Sequence, residues 1–203
     1  MEKRPGMAAL QRYRPHIGSL SMRPANHRTL TLVQAIREFA LERLLDKDFD
    51  DVIGNRLEDD DSVLVFDGDT ISDEDLDLLQ RDMVFGEPWD RQRHGLIIVN
   101  GSLAMNQIDL YCVDGLIVLG DLLCDSIHLR EELLYVQGNL VARSAVRATA
   151  SQDWNDVTAR TLGQLHVHVR GTASSPRVQT WHLPLHHLRW TEGSGIDEAL
   201  ELE

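Results

Sequence analysis

Five of the nine histidines fall late in the chain, at His166, His168, His182, His186 and His187. Imidazole nitrogens are ordinary zinc ligands. His166 and His168 would share one face of a strand, and His182 and His186 one face of a helix. Pro184 lies between the latter pair and opposes a helix there. No carboxylate nearby offers the support that metal-bound imidazoles use. These histidines are therefore expected at a surface or interface, with no metal. Asp67-Gly68-Asp69 with Asp73 and Asp75 resembles a calcium loop superficially, but the required glycine and terminal glutamate are missing. Cys112 and Cys124 are too far apart for a metal or redox pair. They read as small buried hydrophobes of a reducing compartment. A Gly-rich phosphate loop, a nucleophile elbow, a paired-cysteine zinc motif and acyltransferase hexapeptides are all absent. The expectation is a non-enzymatic protein with no catalytic residue, no cofactor and no metal.

Charge gives a positive lead. The chain has 203 residues and a net charge of −13. Residues 46–77 contain fourteen acids against Lys47 and Arg56, a local balance of −12, whereas residues 1–30 balance at +5. An acidic surface repels nucleic acid and membranes and attracts basic proteins. There is no apolar run of the roughly 18 residues needed to span a bilayer, and no signal-peptide core. A cytoplasmic location is expected.

The elements that must position these groups are announced by a repeated phrase. Val65-Phe66-Asp67-Gly68-Asp69 recurs at Ile98–Ser102, Ile117–Asp121, Tyr135–Asn139 and His168–Thr172, with glycines 33, 19, 18 and 33 residues apart. Apolar residues stand four and two positions before each glycine, which is the strand period. Glycine followed by a small polar residue marks a bend. Ile108 and Leu110, then Ile127 and Leu129, stand seven and nine positions after their glycines; after Gly138 the rule breaks, with Val146 between Ala145 and Arg147. The pattern predicts a mainly β fold, a right-handed parallel β-helix (a β-solenoid) of about 18 residues per coil, with an N-terminal amphipathic helix and an irregular C-terminal cap. Three regions follow: a polar arm plus helix over 1–61, the solenoid over 62–181, and a cap or tail over 182–203. Trp181 and Trp190 suit a capping cluster.

Leu32, Ile36, Phe39, Ala40 and Leu44 form a helical stripe, capped at its start by Thr29 or Thr31. Ser72–Asp75 can open a second helix, or Leu76 and Leu78 can form a strand; residues 84–94 read as a surface loop. The column three before each glycine (Val65, Ile98, Ile117, Tyr135, His168) should point away from the core by alternation. Either the helix at 31–45 covers it, or it is a wall for a partner.

Val136-Gln137-Gly138-Asn139-Leu140-Val141-Ala142 resembles the bactofilins, bacterial polymerising scaffolds built as right-handed β-helices. Leu116-Ile117-Val118-Leu119-Gly120-Asp121-Leu122, and Asp67-Gly68-Asp69 followed by Asp75-Leu76-Asp77-Leu78, resemble more closely a set of bacterial Gly-Asp-Leu-repeat proteins of polymorphic toxin loci, over about Val63 to Val178. That resemblance implies an immunity protein binding a cognate toxin, and it implies no catalytic residues. The bactofilin resemblance implies a polymerising scaffold instead, and a metal-dependent enzyme using the late histidines is a third alternative. For the first reading the candidate partner-binding residues are Asp59, Asp60, Asp61, Asp73, Glu74, Asp75, Trp89 and Tyr135. The expected partner is a basic protein toxin, such as a nuclease, met by a monomer or weak homo-oligomer.

Overall fold

A computed structural model describes residues 26–46, 49, 53–54, 57–71, 76–77, 83–84, 87–88, 94–110, 114–129, 132–149, 167–181 and 196–198. The chain begins with strand β1 (Asn26–Thr31), then helices α1 (Leu32–Phe39) and α2 (Leu41–Leu45). Strands β2 (Ser62–Asp67), β7 (His94–Asn100), β10 (Gly115–Val118), β12 (Leu133–Val136) and β14 (Val167–Val169) lie side by side in parallel, and β1 lies antiparallel on β2. This is the first sheet. The second contains β3 (Thr70–Ile71), β4 (Leu76–Asp77), β8 (Leu103–Ala104), β9 (Gln107–Asp109), β11 (Leu122–Leu129), β13 (Leu140–Thr149), β15 (Ala173–Ser174), β16 (Val178–Trp181) and β17 (Ile196–Glu198), all paired in parallel. A small antiparallel pair, β5 (Met83–Val84) with β6 (Glu87–Pro88), stands apart from both.

The expected right-handed parallel β-helix of about 18 residues per coil does not hold. The first sheet is mixed, because β1 runs antiparallel along the edge of β2. Strand β17 extends the second sheet in parallel where an irregular cap was expected. Alternation of side chains announces a strand but not the direction of its neighbour. Here the chain leaves β1 through two helices and returns as β2, so the two strands oppose each other. Asn26–Thr31 also belongs to the sheet, a strand within the region 1–61 that was expected to hold only a polar arm and a helix. Leu76–Asp77 is strand, not helix.

Both faces of the first sheet are covered, so its strands read as unbroken apolar runs, such as Val63-Leu64-Val65-Phe66. Leu64, Phe66, Ile97, Val99, Leu116, Val118, Leu134 and Val136 point inward and meet Leu103, Leu122 and Leu140 of the second sheet in one core. On the outer face Val63, Val65, Leu96, Ile98, Ile117, Leu133 and Tyr135 pack beneath Leu32, Ala35, Leu41 and Leu45 of the helices, in a second core. The outward column is thus buried by the helices. Gly115 belongs to this layer: a Cβ there would come within 2.9 Å of Leu133 Cβ, so only glycine lets the neighbouring leucine close over it.

The helical stripe is real but broken. Thr31 caps α1 in a box with Gln34: Gln34 N donates to Thr31 Oγ1 at 3.3 Å, and Thr31 N to Gln34 Oε1 at 3.0 Å. Ala40 then adopts a left-handed conformation (φ 49°) and stops the helix. The break rotates α2, so that Leu41 and Leu45 are buried and Ala40 is exposed.

Candidate functional site

Asp59 and Asp60 lie exposed in a tight turn that leads into β2. The turn is held from both sides. Glu58 N donates to Asp61 Oδ2 at 2.7 Å, and Asp61 N donates to Glu58 O at 3.0 Å. Leu32 N donates to Asp61 O at 2.8 Å and Val33 N to Asp59 O at 3.4 Å, so turn carbonyls satisfy the first amides of α1. Two carboxylates are consequently presented on backbone anchored to the helix. Asp61 is different: its carboxylate closes the turn and it is half-buried.

Asp67, another acid of the segment, is paired with a cation. Arg28 Nε donates to Asp67 Oδ2 at 2.7 Å, its Nη1 donates to Glu38 Oε2 at 2.9 Å, and its Nη2 pairs with Glu38 Oε1. Asn100 Nδ2 adds a bond to Asp67 Oδ1 at 3.1 Å. The guanidinium's hydrogen bonds hold the carboxyls of Asp67 and Glu38 below their ordinary values; for Asp67 the Asn100 bond contributes next. The same two partners raise Arg28 further above its own range. Arg28 thereby ties β1 and α1 to β2.

Asp69 Oδ1 accepts from Ser102 N at 2.8 Å and begins a polar ladder along the glycine bends. Ser102 Oγ accepts from Asp121 N at 3.2 Å, Asp121 Oδ1 from Asn139 N at 2.8 Å, and Asn139 Oδ1 from Thr172 N at 3.0 Å. The small polar residue after each glycine therefore receives the next bend's amide. Of the calcium-like phrase, Asp67 is bound to Arg28 and Asp69 belongs to the ladder.

Tyr135 is 2% exposed beneath the helices. A partner-facing Tyr135 is overturned, because the wall it belongs to is covered by this chain's own α1 and α2. His168 stands beside it on β14, with ring centroids 6.4 Å apart. Arg170 lies with Cζ 5.9 Å from the Tyr135 ring centroid and donates from Nε to Tyr135 Oη at 3.4 Å. Its Nη2 donates to Leu44 O at 3.2 Å. Sequence reasoning missed both arginines. Arg28 was only a member of a basic arm, and Arg170's single signal was its place one residue before a repeat glycine.

Asp73, Glu74, Asp75 and Trp89 lie outside the described residues, as do Cys112, His166, His182, His186, His187 and Trp190. Cys124 is in the core, where burial pushes its thiol up to about 12. Among the described residues no three His, Cys, Asp or Glu side chains gather to hold a metal, and no helix is long and apolar enough to cross a membrane. Comparison with family models, with curated proteins and with solved structures returned no match.

Proposed function

We propose that this chain is a non-enzymatic protein-binding module, an immunity protein of the cytoplasm that occludes a basic toxin such as a nuclease. The observation that supports this reading is the anchored turn with Asp59 and Asp60 exposed. Carboxylates fixed by backbone lose little conformational freedom on meeting a cationic surface. A phosphate-binding toxin would present such a surface, and its neutralisation would be fast and salt-sensitive.

A polymerising scaffold is less well supported. It would need a free first edge on each sheet, and β1 occupies that edge of the first sheet in the antiparallel sense.

The test is co-expression with the products of the genes that flank this one, scored by growth and by calorimetry at about 50 and about 500 mM salt. The double variant Asp59→Lys/Asp60→Lys is expected to lose at least tenfold in affinity, and with it protection. Asp61 stays unaltered because it closes the turn. Unchanged binding and protection by the double variant would overturn the acidic-surface reading.

A further inference from the structure

Asparagine is followed by glycine once in the sequence, at Asn100-Gly101. In such a pair the glycine nitrogen can approach the preceding carboxamide carbon, because no Cβ stands beside it. The approach also needs a following N–H that is not already bonded and a carboxamide open to water.

Asn100 has both. It is the last residue of β7 and is exposed, and the chain bends at Gly101. Its side chain makes one bond among the described residues, Nδ2 donating to Asp67 Oδ1 at 3.1 Å. Gly101 N donates to no protein group among the described residues. The glycines of two later bends differ: Gly138 N donates to Gly120 O at 2.8 Å and Gly171 N to Gly138 O at 2.9 Å.

Two other asparagines supply the contrast. Asn139 is half-buried and bonded throughout, its Nδ2 donating to Asp121 Oδ1 at 3.2 Å and its Oδ1 accepting from Thr172 N and Oγ1, both at 3.0 Å. The amide that follows it, Leu140 N, is held by Thr172 O at 2.9 Å. Asn106 is exposed, but Gln107 follows it with a side chain.

We propose that Asn100 is a site of spontaneous deamidation in the folded chain. Gly101 N loses its proton and attacks Cγ of Asn100. The N–Cγ bond forms, the Cγ–Nδ2 bond breaks, and Nδ2 takes up a proton and leaves as ammonia. Water then opens the cyclic imide at one carbonyl or the other, leaving aspartate or isoaspartate at position 100. Water is the only co-reactant.

The product alters the corner where β1, β2 and β7 meet. A carboxylate replaces the amide that donated to Asp67, so like charges face each other. Arg28, which already holds Asp67 and Glu38, must then balance a third acid. Isoaspartate also lengthens the backbone just before Gly101. That bend stacks so closely on its neighbour that a Cβ on Gly101 would lie 2.5 Å from Gly68 C.

The experiment follows the full chain in mildly alkaline buffer by peptide mass spectrometry. The peptide holding Asn100 is expected to gain the mass of an amine-to-hydroxyl exchange and to split into two chromatographic forms. It should do so about tenfold or more faster than the peptides holding Asn106 and Asn139, where no glycine follows. In water enriched in heavy oxygen each product should carry one label. The rate should not change in urea below the unfolding transition, as expected of a reaction of the native chain. Asn100→Gln keeps an amide donor on a longer side chain that closes the ring less readily, so conversion at position 100 should nearly cease. Asn100→Asp, which carries the product's charge, should melt below the wild type. Conversion of Asn100 no faster than that of Asn139 would overturn the proposal. So would a rate that climbs with urea along the global unfolding curve, since the reaction would then belong to the unfolded chain. Equal melting of Asn100→Asp and the wild type would overturn the effect on the corner.

Discussion

Arg170 closes a contact across 126 positions of sequence, donating to the backbone carbonyl of Leu44 at 3.2 Å. The last carbonyls of a helix have no partner within it, and a cation is the favoured one. Arg170 also rests on Tyr135, which the helices bury. One side chain at the far edge of the first sheet thus holds the end of α2 onto the outer face.

Replacing Arg170 by alanine should loosen that cover without unfolding the sheets. The bond to Leu44 is exposed and that to Tyr135 part-buried, so the global cost should be about 1 kcal/mol or less. Amide exchange in residues 41–45 should accelerate well beyond that in β10 and β12, because the helix end opens locally. Uniform acceleration throughout the chain would show that Arg170 does not act on the helix specifically.

Gly138→Ala should cost more. A Cβ there would meet Gly120 O at 2.7 Å and Asp121 Oδ1 at 2.2 Å. The carboxylate can rotate away only by giving up the bond it accepts from Asn139 N, and the Gly120 carbonyl is fixed by the Gly138 N–H at 2.8 Å. Forced shifts of this size cost about 1–3 kcal/mol. Urea unfolding should show a lower midpoint with an unchanged slope.

The glycine phrase was legible because it answers to simple rules: stacked bends leave no room for a Cβ, and the following side chain must accept an amide. The outward column was legible as apolar, and its cover as an amphipathic helix with Thr31 at its cap. Direction was not legible. Nothing in Asn26–Thr31 states that it will meet β2 antiparallel, since that follows from how far the chain travels before returning. The broken rule after Gly138 has a physical cause as well. Asp125 N and Ser126 N both donate to Asn106 O, and between Cys124 and Ser126 the partner strand β13 carries one residue more, Arg143 and Ser144 against Asp125. That bulge moves Val146 into the column of Ile127. Of the candidate binding residues, the exposure of Asp59 and Asp60 was readable from composition. The structural roles of Asp61 and Tyr135 were not, because each depends on contacts that no spacing encodes.

The Arg28 node should make stability depend on acidity. Asp67 and Glu38 bind protons less readily when folded than their ordinary values of 3.8 and 4.5 allow. Their contribution is therefore fully present above those values and is lost as pH falls through the lowered ones. Both carboxylates are well exposed, so the effect is modest and weakened by salt. In Arg28→Met, the decline of thermal stability below about pH 4 should be shallower than in the wild type. An identical decline in both proteins would remove this node from the acid response.

Cys124 gives a direct readout of whether the core between the two sheets opens. It is buried, and its thiol is pushed up to about 12, so almost no thiolate exists at pH 8 in the folded chain. Alkylation needs both thiolate and access. In a Cys112→Ser background, iodoacetamide at pH 8 should label Cys124 only through opening of β11. The rate should rise with urea along the same curve as global unfolding, because β11 lies between β8, β9 and β13 at the centre of its sheet. Rapid labelling without urea would mean that β11 separates from its neighbours on its own, and the two-sheet core would then be far less cooperative than its packing indicates.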